Sequence, residues 1–348
     1  MKIIHCADLH LSSPVKGFPK ELAQKIKTEV KNAFLNVVEY AREQDVHVIL
    51  LAGDVFDEEK VRKTDADFFY KIVEMNEDID FLYLRGNHDQ AGEERMFDNL
   101  KTFSSEWQSY TYGNVVISGI ELSEENSGSM HSTLSTDAKM KNVVMLHGQV
   151  GEDINLVSLR NKNIDYLALG HVHKFMDGAL DGRGRYAYSG CLQGRGYDET
   201  GKKGFVLLDI GDTLSYQFVP ISRKDIENLS LDVSGLTDGY SIYQHAQKEI
   251  AFDRGNIYRI ELVGDVPAEV EMERLVAEVE RYLSAYCAHV RVKDRTSKTI
   301  NYAAYEGDNS LRGEFVRMVR DSEEYTEEEK AHIIVCGLKA LDGQEVDA

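Results

Sequence analysis

The stretch VHVILLAGDVFD, residues 46–57, joins a long apolar run to two closely spaced carboxylates. An apolar run rich in valine, isoleucine and leucine is typical of a strand that is buried on both faces of a parallel sheet. Gly53 ends the run, and Asp54 and Asp57 follow it. Because ligands of such sheets bind beyond the carboxyl ends of the strands, the stretch predicts a central strand that delivers acidic side chains to a site.

The segments on both sides of this strand alternate between strand and helix patterns. KIIHC at residues 2–6 and DFLYL at 80–84 are short apolar runs, as expected of buried strands. Residues 21–44 and 65–76 carry apolar side chains at helical spacing. This β-α-β-α-β order predicts a largely parallel sheet that is covered by helices.

Later segments predict a second sheet. Strand patterns recur in NVVMLH (142–147), DYLALG (165–170), RYAYSG (185–190), GFVLLDI (204–210) and LSYQFVPI (214–221). Few helix patterns separate the later segments, so we expect a second, more antiparallel sheet packed against the first. The polar stretch 123–139, which is rich in glycine and serine, predicts a long surface loop.

The pattern changes again after about residue 221, which predicts a domain boundary. Strand patterns there alternate with amphipathic helix patterns near residues 268–285, 309–320 and 327–340. We therefore expect two domains, residues 1–220 and a smaller α+β domain of residues 221–348.

Composition limits the classes of function. The chain has 348 residues and a net charge of −20, which argues against a protein that coats nucleic acid through a general basic surface. A small excess of basic residues between positions 174 and 203 could still guide an anionic substrate. No apolar run is long enough to cross a bilayer, and the first residues lack the features of a signal peptide. We expect a cytoplasmic protein without a membrane partner.

Each predicted core strand ends in residues of the types that bind metal ions. These candidates are Asp8, His10, Asp54, Asn87, His147, His171 and His173. A lone aspartate or histidine at a strand end more often forms a local hydrogen bond, but ligand types at five strand ends are not expected by chance. Carboxylates mixed with imidazoles and an amide oxygen suit Mn²⁺, Fe²⁺ or Zn²⁺. The sequence therefore predicts a metal site.

The order of these motifs carries a family resemblance. The series D-x-H, G-D-x-x-D, G-N-H-D, H and G-H-x-H resembles the calcineurin-like metallophosphoesterases over about residues 1–175. HCADLHLSSPVKGF, LAGDVFD and RGNHDQAG are similar to bacterial DNA repair exonucleases related to the SbcD nuclease subunit, in a YhaO-like branch, and the similarity continues to about residue 210. The resemblance implies a two-sheet αββα metallophosphoesterase sandwich, with residues 221–348 as a capping domain.

The resemblance also implies how two divalent ions, most simply Mn²⁺, divide the ligands. One ion would bind Asp8, His10, Asp54 and His173, and the other Asn87, His147, His171 and the shared Asp54. Two such ions can lower the pKa of a bridging water, whose hydroxide is the implied nucleophile, and clamp a phosphodiester for in-line hydrolysis.

The resemblance gives roles to further residues. His88 would be catalytic, contacting the phosphate or protonating the leaving oxygen; the alternative is a buried histidine in a tight turn. Asp57 and Asp89 would orient ligating imidazoles or brace the loops. Arg85 and Arg195 could each bind phosphate as a fork, although a solvated or salt-bridged arginine is the more frequent outcome.

Three functions follow from these observations. The leading prediction is a metal-dependent DNA exonuclease or endonuclease in DNA repair, for which the resemblance implies DNA, a coiled-coil ATPase subunit and a second copy of the chain as partners. The residues by themselves indicate only phosphoester hydrolysis, because two metal ions do not distinguish DNA from a nucleotide or a phosphoprotein. The acidic chain slightly favours a phosphodiesterase for small nucleotides. A metal-bound assembly module for an ATPase is the third alternative. The polarity of digestion and the native metal stay open.

Overall fold

A computed structural model of the protein describes residues 1–57, 61–89, 95–267, 270–341 and 343. The chain folds as two compact units, Met1–Asp225 and Ile226–Ala348. In the part of the chain that the structure describes, no helix combines the length and the apolar character needed to span a membrane. The fold is mixed α/β with two multi-stranded sheets in the first unit. The capping role of the second unit stays a prediction.

The first unit contains twelve strands and four helices within its described residues. The strands are β1 (Lys2–Cys6), β2 (Val48–Ala52), β3 (Asp80–Leu84), β4 (Leu100–Thr102), β5 (Gln108–Tyr112), β6 (Val115–Gly119), β7 (Lys141–His147), β8 (Ile164–Gly170), β9 (Met176–Ala179), β10 (Arg185–Tyr188), β11 (Gly204–Ile210) and β12 (Leu214–Pro220). The helices are α1 (Lys20–Glu43), α2 (Lys63–Glu74), α3 (Met130–Thr133) and α4 (Leu156–Leu159).

The two sheets have six strands each. The first has the order β12-β11-β1-β2-β3-β4. Its strands β1 to β4 are parallel, β11 is antiparallel to β1, and the edge strand β12 is antiparallel to β11. The second has the order β5-β6-β7-β8-β10-β9, and only its edge strands β5 and β9 are antiparallel. The expectation of a more antiparallel second sheet was therefore wrong. The apolar strand β11 pairs with β1 instead, where it is buried on both faces.

The apolar faces of the helices and strands determine how the layers of the first unit pack. The stripe of α1 that includes Val30 and Val37 packs on the outer face of the first sheet. Leu50 and Tyr166 belong to the apolar layer between the sheets. The short helices α3 and α4 cover the outer face of the second sheet, which completes an αββα arrangement. Helix α3 lies in the stretch predicted as a surface loop, because Met130 is fully buried in this outer layer.

The second unit has its own apolar core. Its elements are β13 (Ile226–Asp232), α5 (Gly239–Glu249), β14 (Ile257–Val263), β15 (Asp265–Pro267), α6 (Met272–Leu283), β16 (His289–Asp294), β17 (Ser297–Thr299), a 3₁₀ turn (Tyr302–Tyr305), α7 (Leu311–Arg320) and α8 (Glu327–Leu341). The sheet β13-β14-β16 is parallel, with α5 and α6 as crossovers. Helix α5 was not predicted. Thr326 and Glu329 form a capping box at the start of α8, because they exchange hydrogen bonds.

Candidate metal centre

The candidate ligands lie at the carboxyl ends of strands in both sheets. Asp8 and His10 follow β1, Asp54 follows β2, and Asn87 follows β3. In the second sheet, His147 is the last residue of β7, and His171 and His173 follow β8. All seven predicted residues converge at one edge of the sandwich, as the contacts below describe.

Several of these residues have a backbone conformation that non-glycine residues rarely adopt. The φ angles of Asp8, His10, Asp54 and His171 are 54°, 47°, 53° and 106°. Such conformations cost about 1–3 kcal/mol each and persist only where surrounding contacts enforce them. Here the amide of Asp8 donates to Gly53 O at 2.9 Å, and the amide of His10 donates to Asp54 O at 2.9 Å. The loops after β1 and β2 thus hold each other in the strained form.

Two glycines allow the side chains to approach this closely. A Cβ atom on Gly53, whose φ is 92°, would lie 2.1 Å from His147 Nδ1. A Cβ atom on Gly86 would lie 2.2 Å from Asp54 Oδ1. Both distances are impossible for real atoms, so the glycines of the G-D and G-N-H-D motifs are required by packing.

One group of side chains combines Asp8, His10 and His173, with one ligand atom of each within 4.8 Å of the others. His10 Nε2 and His173 Nε2 face each other at 3.0 Å. Asp8 Oδ1 accepts the amide hydrogen of His171 at 2.9 Å, while Asp8 Oδ2 is buried and has no hydrogen-bond partner among the described residues. A buried carboxylate oxygen without a partner is costly, and a cation in this group would satisfy it.

A second group combines Asp8, Asp54 and His147, again with one ligand atom of each within 4.8 Å of the others, and Asn87 and His171 lie beside it. His147 Nδ1 must donate to Ala52 O at 2.9 Å, since a carbonyl oxygen only accepts. In the neutral ring His147 Nε2 therefore carries a lone pair, and it faces Asp54 Oδ2 at 3.3 Å and Asn87 Oδ1 at 3.0 Å. Asn87 Oδ1 also lies 3.2 Å from His171 Nδ1. Acceptor atoms that converge in this way require a proton or a metal ion between them.

The pKa values of these groups depend on their burial and on the charges of their close neighbours. Burial alone would lower the pKa of His147, but its hydrogen bond to Asp54 and the charges of Asp8 and Asp54 raise that pKa to about 9. Burial would likewise raise the pKa of Asp54, yet the interaction with His147 lowers it to about 2. Burial and the nearby Arg195 lower the pKa of His10 to about 2. Without metal, a proton on His147 thus compensates the carboxylates.

His88 lies beside these groups and half of its side chain is exposed, unlike a buried histidine in a turn. Its amide donates to Asp54 Oδ1 at 3.0 Å. Its Nδ1 lies 3.1 Å from Asp57 Oδ1, and Asp57 Oδ2 in turn accepts the Ser13 hydroxyl and lies 3.6 Å from His10 Nδ1. Asp57 therefore contacts both His88 and a candidate ligand.

Asp89 connects two of the site loops. Its buried carboxylate accepts the amide hydrogens of Val55, Phe56 and Gly86 at 3.2, 2.7 and 3.1 Å. Burial raises the pKa of Asp89 to about 6 despite these bonds. The loops after β2 and β3 are thus joined through one side chain.

Sequence reasoning missed Glu199. His173 Nδ1 lies 2.7 Å from Glu199 Oε1, and Arg195 donates to the same carboxylate through its amide and its guanidinium. Arg195 Nη1 also donates to Ser13 Oγ at 2.7 Å. The buried ammonium of Lys203 donates to the carbonyl of His173 at 2.7 Å. No sequence pattern indicates that Glu199 contacts a candidate ligand, because that ligand, His173, is 26 residues away in the chain.

The two arginines predicted to bind phosphate are engaged by carboxylates. Arg85 forms a fork with Glu121, through Nε to Oε1 at 2.9 Å and Nη2 to Oε2 at 2.8 Å. Arg195 is held by Glu199 at the edge of the candidate centre. Both arginines therefore form salt bridges, which was the alternative that the sequence left open. Phosphate binding by either residue stays a prediction.

Several known proteins are similar to this chain. The family model described as "Calcineurin-like phosphoesterase" matches residues 1–175. The chain is 30% identical over 273 residues to the metallophosphoesterase YhaO of Bacillus subtilis, covering 70% of this chain and 66% of YhaO. It is 24% identical over 368 residues to the DNA double-strand break repair protein Mre11 of Sulfolobus acidocaldarius, covering 96% and 94%. A dimetal phosphatase from Danio rerio has a TM-score of 0.40 at 12% identity, covering 60% of this chain and 92% of that one.

Proposed function

Because the chain belongs to the calcineurin-like phosphoesterase family, whose members use a binuclear divalent metal centre, we propose that it is a two-metal phosphodiesterase that cleaves DNA. The observation that carries the proposal is the convergence of His147 Nε2 with the oxygens of Asp54 and Asn87. This arrangement fits a cation, whose place the proton on His147 takes in the metal-free protein.

We assign the ligands to two ions. The first ion takes Asp8, His10, Asp54 and His173, and the second takes Asn87, His147, His171 and the shared Asp54. When bound, two divalent cations activate water and neutralise the charge of the scissile phosphate. The donor set of carboxylate, amide and imidazole accepts Mn²⁺, our preferred ion, as well as Fe²⁺ or Zn²⁺.

His88 is the proposed catalytic residue beside this centre. The Asp57 carboxylate accepts from His88 Nδ1, which leaves Nε2 of this half-exposed ring available to a substrate. From this position His88 Nε2 can donate a proton to the leaving oxygen or a hydrogen bond to the phosphate. Two hydrogen bonds hold this pair in place: the Ser13 hydroxyl donates to Asp57, and the backbone amide of His88 donates to Asp54.

The similarity to Mre11 across nearly the whole chain supports DNA as the substrate class. The same family resemblance supports an ATPase subunit and a second copy of the chain as partners. The net charge of −20 favours the second candidate, a phosphodiesterase for small nucleotides, since proteins that hold duplex DNA usually neutralise many phosphates.

The test is hydrolysis of linear duplex DNA, labelled at the 5′ or the 3′ end, by the purified full chain with and without Mn²⁺. Metal-dependent cleavage of the DNA would support the nuclease. Comparison of the 5′-labelled with the 3′-labelled substrate would give the polarity of digestion. Hydrolysis of bis-p-nitrophenyl phosphate without any cleavage of duplex or single-stranded DNA would contradict DNA as the substrate of the isolated chain and favour small phosphodiesters. A chain that hydrolyses neither DNA nor bis-p-nitrophenyl phosphate in the presence of Mn²⁺ would contradict the proposal.

The proton on His147 gives the metal affinity a defined pH dependence. The pKa of His147 in the metal-free protein is about 9, and a ligating imidazole must be neutral. Metal binding therefore releases this proton at neutral pH, and affinity rises with pH until the pKa is reached. Between pH 6 and 8 we expect the apparent Kd for Mn²⁺ to fall about tenfold per pH unit.

Calorimetric titration in buffers of different ionisation enthalpy measures both the Kd and the protons released. We expect release of one proton or more per chain at pH 7. A Kd that is constant between pH 6 and 8 would contradict the displacement of a proton from His147 by the metal ion.

Glu199 is expected to act through His173. Glu199→Gln keeps the size of the side chain but removes the charge that orients His173, so affinity for one of the two ions should fall about 10- to 100-fold. Glu121→Gln is the matched control, because Glu121 also forms a fork with an arginine but contacts none of the candidate ligands. Metal titrations that weaken equally in both variants would contradict a specific role of Glu199.

A further inference from the structure

The two imidazoles that we assign to the first ion each face a carboxylate through Nδ1. The Nε2 atoms of His10 and His173 lie 3.0 Å apart. His173 Nδ1 donates to Glu199 Oε1 at 2.7 Å, and His10 Nδ1 lies 3.6 Å from Asp57 Oδ2. A carboxylate behind a ligating imidazole fixes the orientation of the ring and raises its basicity. Asp57 and Glu199 are therefore placed to orient the two Nε2 atoms toward one ion.

The hydroxyl of Ser13 joins these two carboxylates through Arg195. It donates to Asp57 Oδ2 and accepts from Arg195 Nη1 at 2.7 Å. Arg195 in turn donates to Glu199 through Nε at 3.2 Å and through Nη2 at 2.5 Å. A hydroxyl can donate and accept at once, so it can connect an anion to a cation. Both outer carboxylates thus belong to one continuous hydrogen-bond network.

Most of this network is shielded from solvent. Ser13 and Glu199 are each 5% exposed, and the side chain of Arg195 is 13% exposed. In a buried network the hydrogen bonds strengthen one another, and a group that loses its partner is costly. Removal of the Ser13 hydroxyl would take one hydrogen bond from Asp57 and one from Arg195. The loss would therefore reach the carboxylates behind both ligands.

The neighbouring Ser12 supports the same loop in a different way. It is also buried, and its hydroxyl donates to the carbonyl of Asp57 at 2.6 Å and accepts the Asp57 amide at 3.0 Å. Ser12 therefore holds the backbone of Asp57, whereas Ser13 holds its carboxylate. Two adjacent serines separate support of the loop from connection to Arg195.

We propose that Ser13 is a positioning residue that couples His10 to His173 at the first ion. The inference rests on the proposed assignment of both histidines to that ion. The same network includes the partner of the proposed catalytic residue, because Asp57 Oδ1 lies 3.1 Å from His88 Nδ1. A change at either end of the network is thereby transmitted to the other end.

The first test compares Ser13→Ala with Ser12→Ala by calorimetric titration of the full chain with Mn²⁺. We expect the Kd for one of the two ions to rise at least about tenfold in Ser13→Ala and less than about threefold in Ser12→Ala. Arg195→Lys breaks the same connection from its other side, because an ammonium cannot form the fork, and should resemble Ser13→Ala. An equal loss of affinity in the two serine variants would overturn the proposal, since it would indicate only support of the loop.

The second test is a double-mutant cycle between the two ends of the network. Asp57→Asn and Glu199→Gln each remove one outer charge. In the otherwise unchanged chain, their combined effect on the Kd should fall short of the product of the single effects by at least about fivefold. In a Ser13→Ala background the two effects should multiply to within about twofold. The same departure from the product in both backgrounds, or none in either, would overturn the coupling.

The readout is metal binding, so failure of this inference differs from failure of the proposed function. A chain that binds two Mn²⁺ ions but shows neither effect would lose only the role of Ser13. A chain that binds no Mn²⁺ would contradict the two-metal centre and this inference with it.

Discussion

Asp54→Ala is expected to reduce metal-dependent phosphodiester hydrolysis by at least about 10³-fold, because this carboxylate is proposed to contact both ions. Asp54 Oδ2 lies 3.3 Å from His147 Nε2 and 3.8 Å from His10 Nε2, so it faces both groups of candidate ligands. Its Oδ1 accepts the amide of His88, so the catalytic loop also loses an anchor. The substitution should therefore lower the number of bound Mn²⁺ ions per chain as well as the rate.

The measurements are hydrolysis of bis-p-nitrophenyl phosphate and the metal content after dialysis against Mn²⁺. Asp65→Ala is the matched control, since Asp65 is also a buried, ion-paired carboxylate but its partner is Lys31 on α1. It should keep the metal content of the wild type. An Asp54→Ala protein that retains two ions and activity within tenfold of wild type would refute the ligand assignment.

His88→Gln is expected to lower kcat by about 10²- to 10⁴-fold while both ions remain bound, because His88 contacts Asp57 and is not a proposed ligand. The choice of substrate separates its two proposed roles. p-Nitrophenolate leaves without protonation, whereas the alkoxide that leaves from DNA needs a proton. If His88 is a general acid, the variant should lose much more activity on DNA than on bis-p-nitrophenyl phosphate.

Equal losses on both substrates would instead indicate that His88 stabilises charge on the phosphate. His47→Gln is the control, because His47 is similarly exposed and also lies next to a carboxylate, Asp45. Its activity should match that of wild type. Reduced metal content in His88→Gln would contradict the assignment of His88 as a catalytic residue that binds no metal.

Much of the fold was readable from local patterns. The predicted strands at residues 2–6 and 80–84 are β1 and β3 as observed, because both runs are only five residues long and contain β-branched or aromatic side chains, which favours a strand over a helix. The sequence could not predict which sheet contains β11, because its apolar run fits either sheet. Only its pairing with β1 places it in the first sheet. Helix α3 was missed because the burial of Met130 depends on the face of a distant sheet.

The sequence by itself determined the strands of the core and the candidate ligands that follow them, since a strand and the loop at its end are adjacent in the chain. Tertiary structure alone decided which groups meet. Asp8 reaches the amide of His171 across 163 residues, and Arg195 reaches Ser13 across 182. The partnership of Glu199 with His173 was equally hidden. Periodicity reports burial within one element, but hydrogen bonds between loops depend on how the two sheets pack, and that packing is set by the whole core at once.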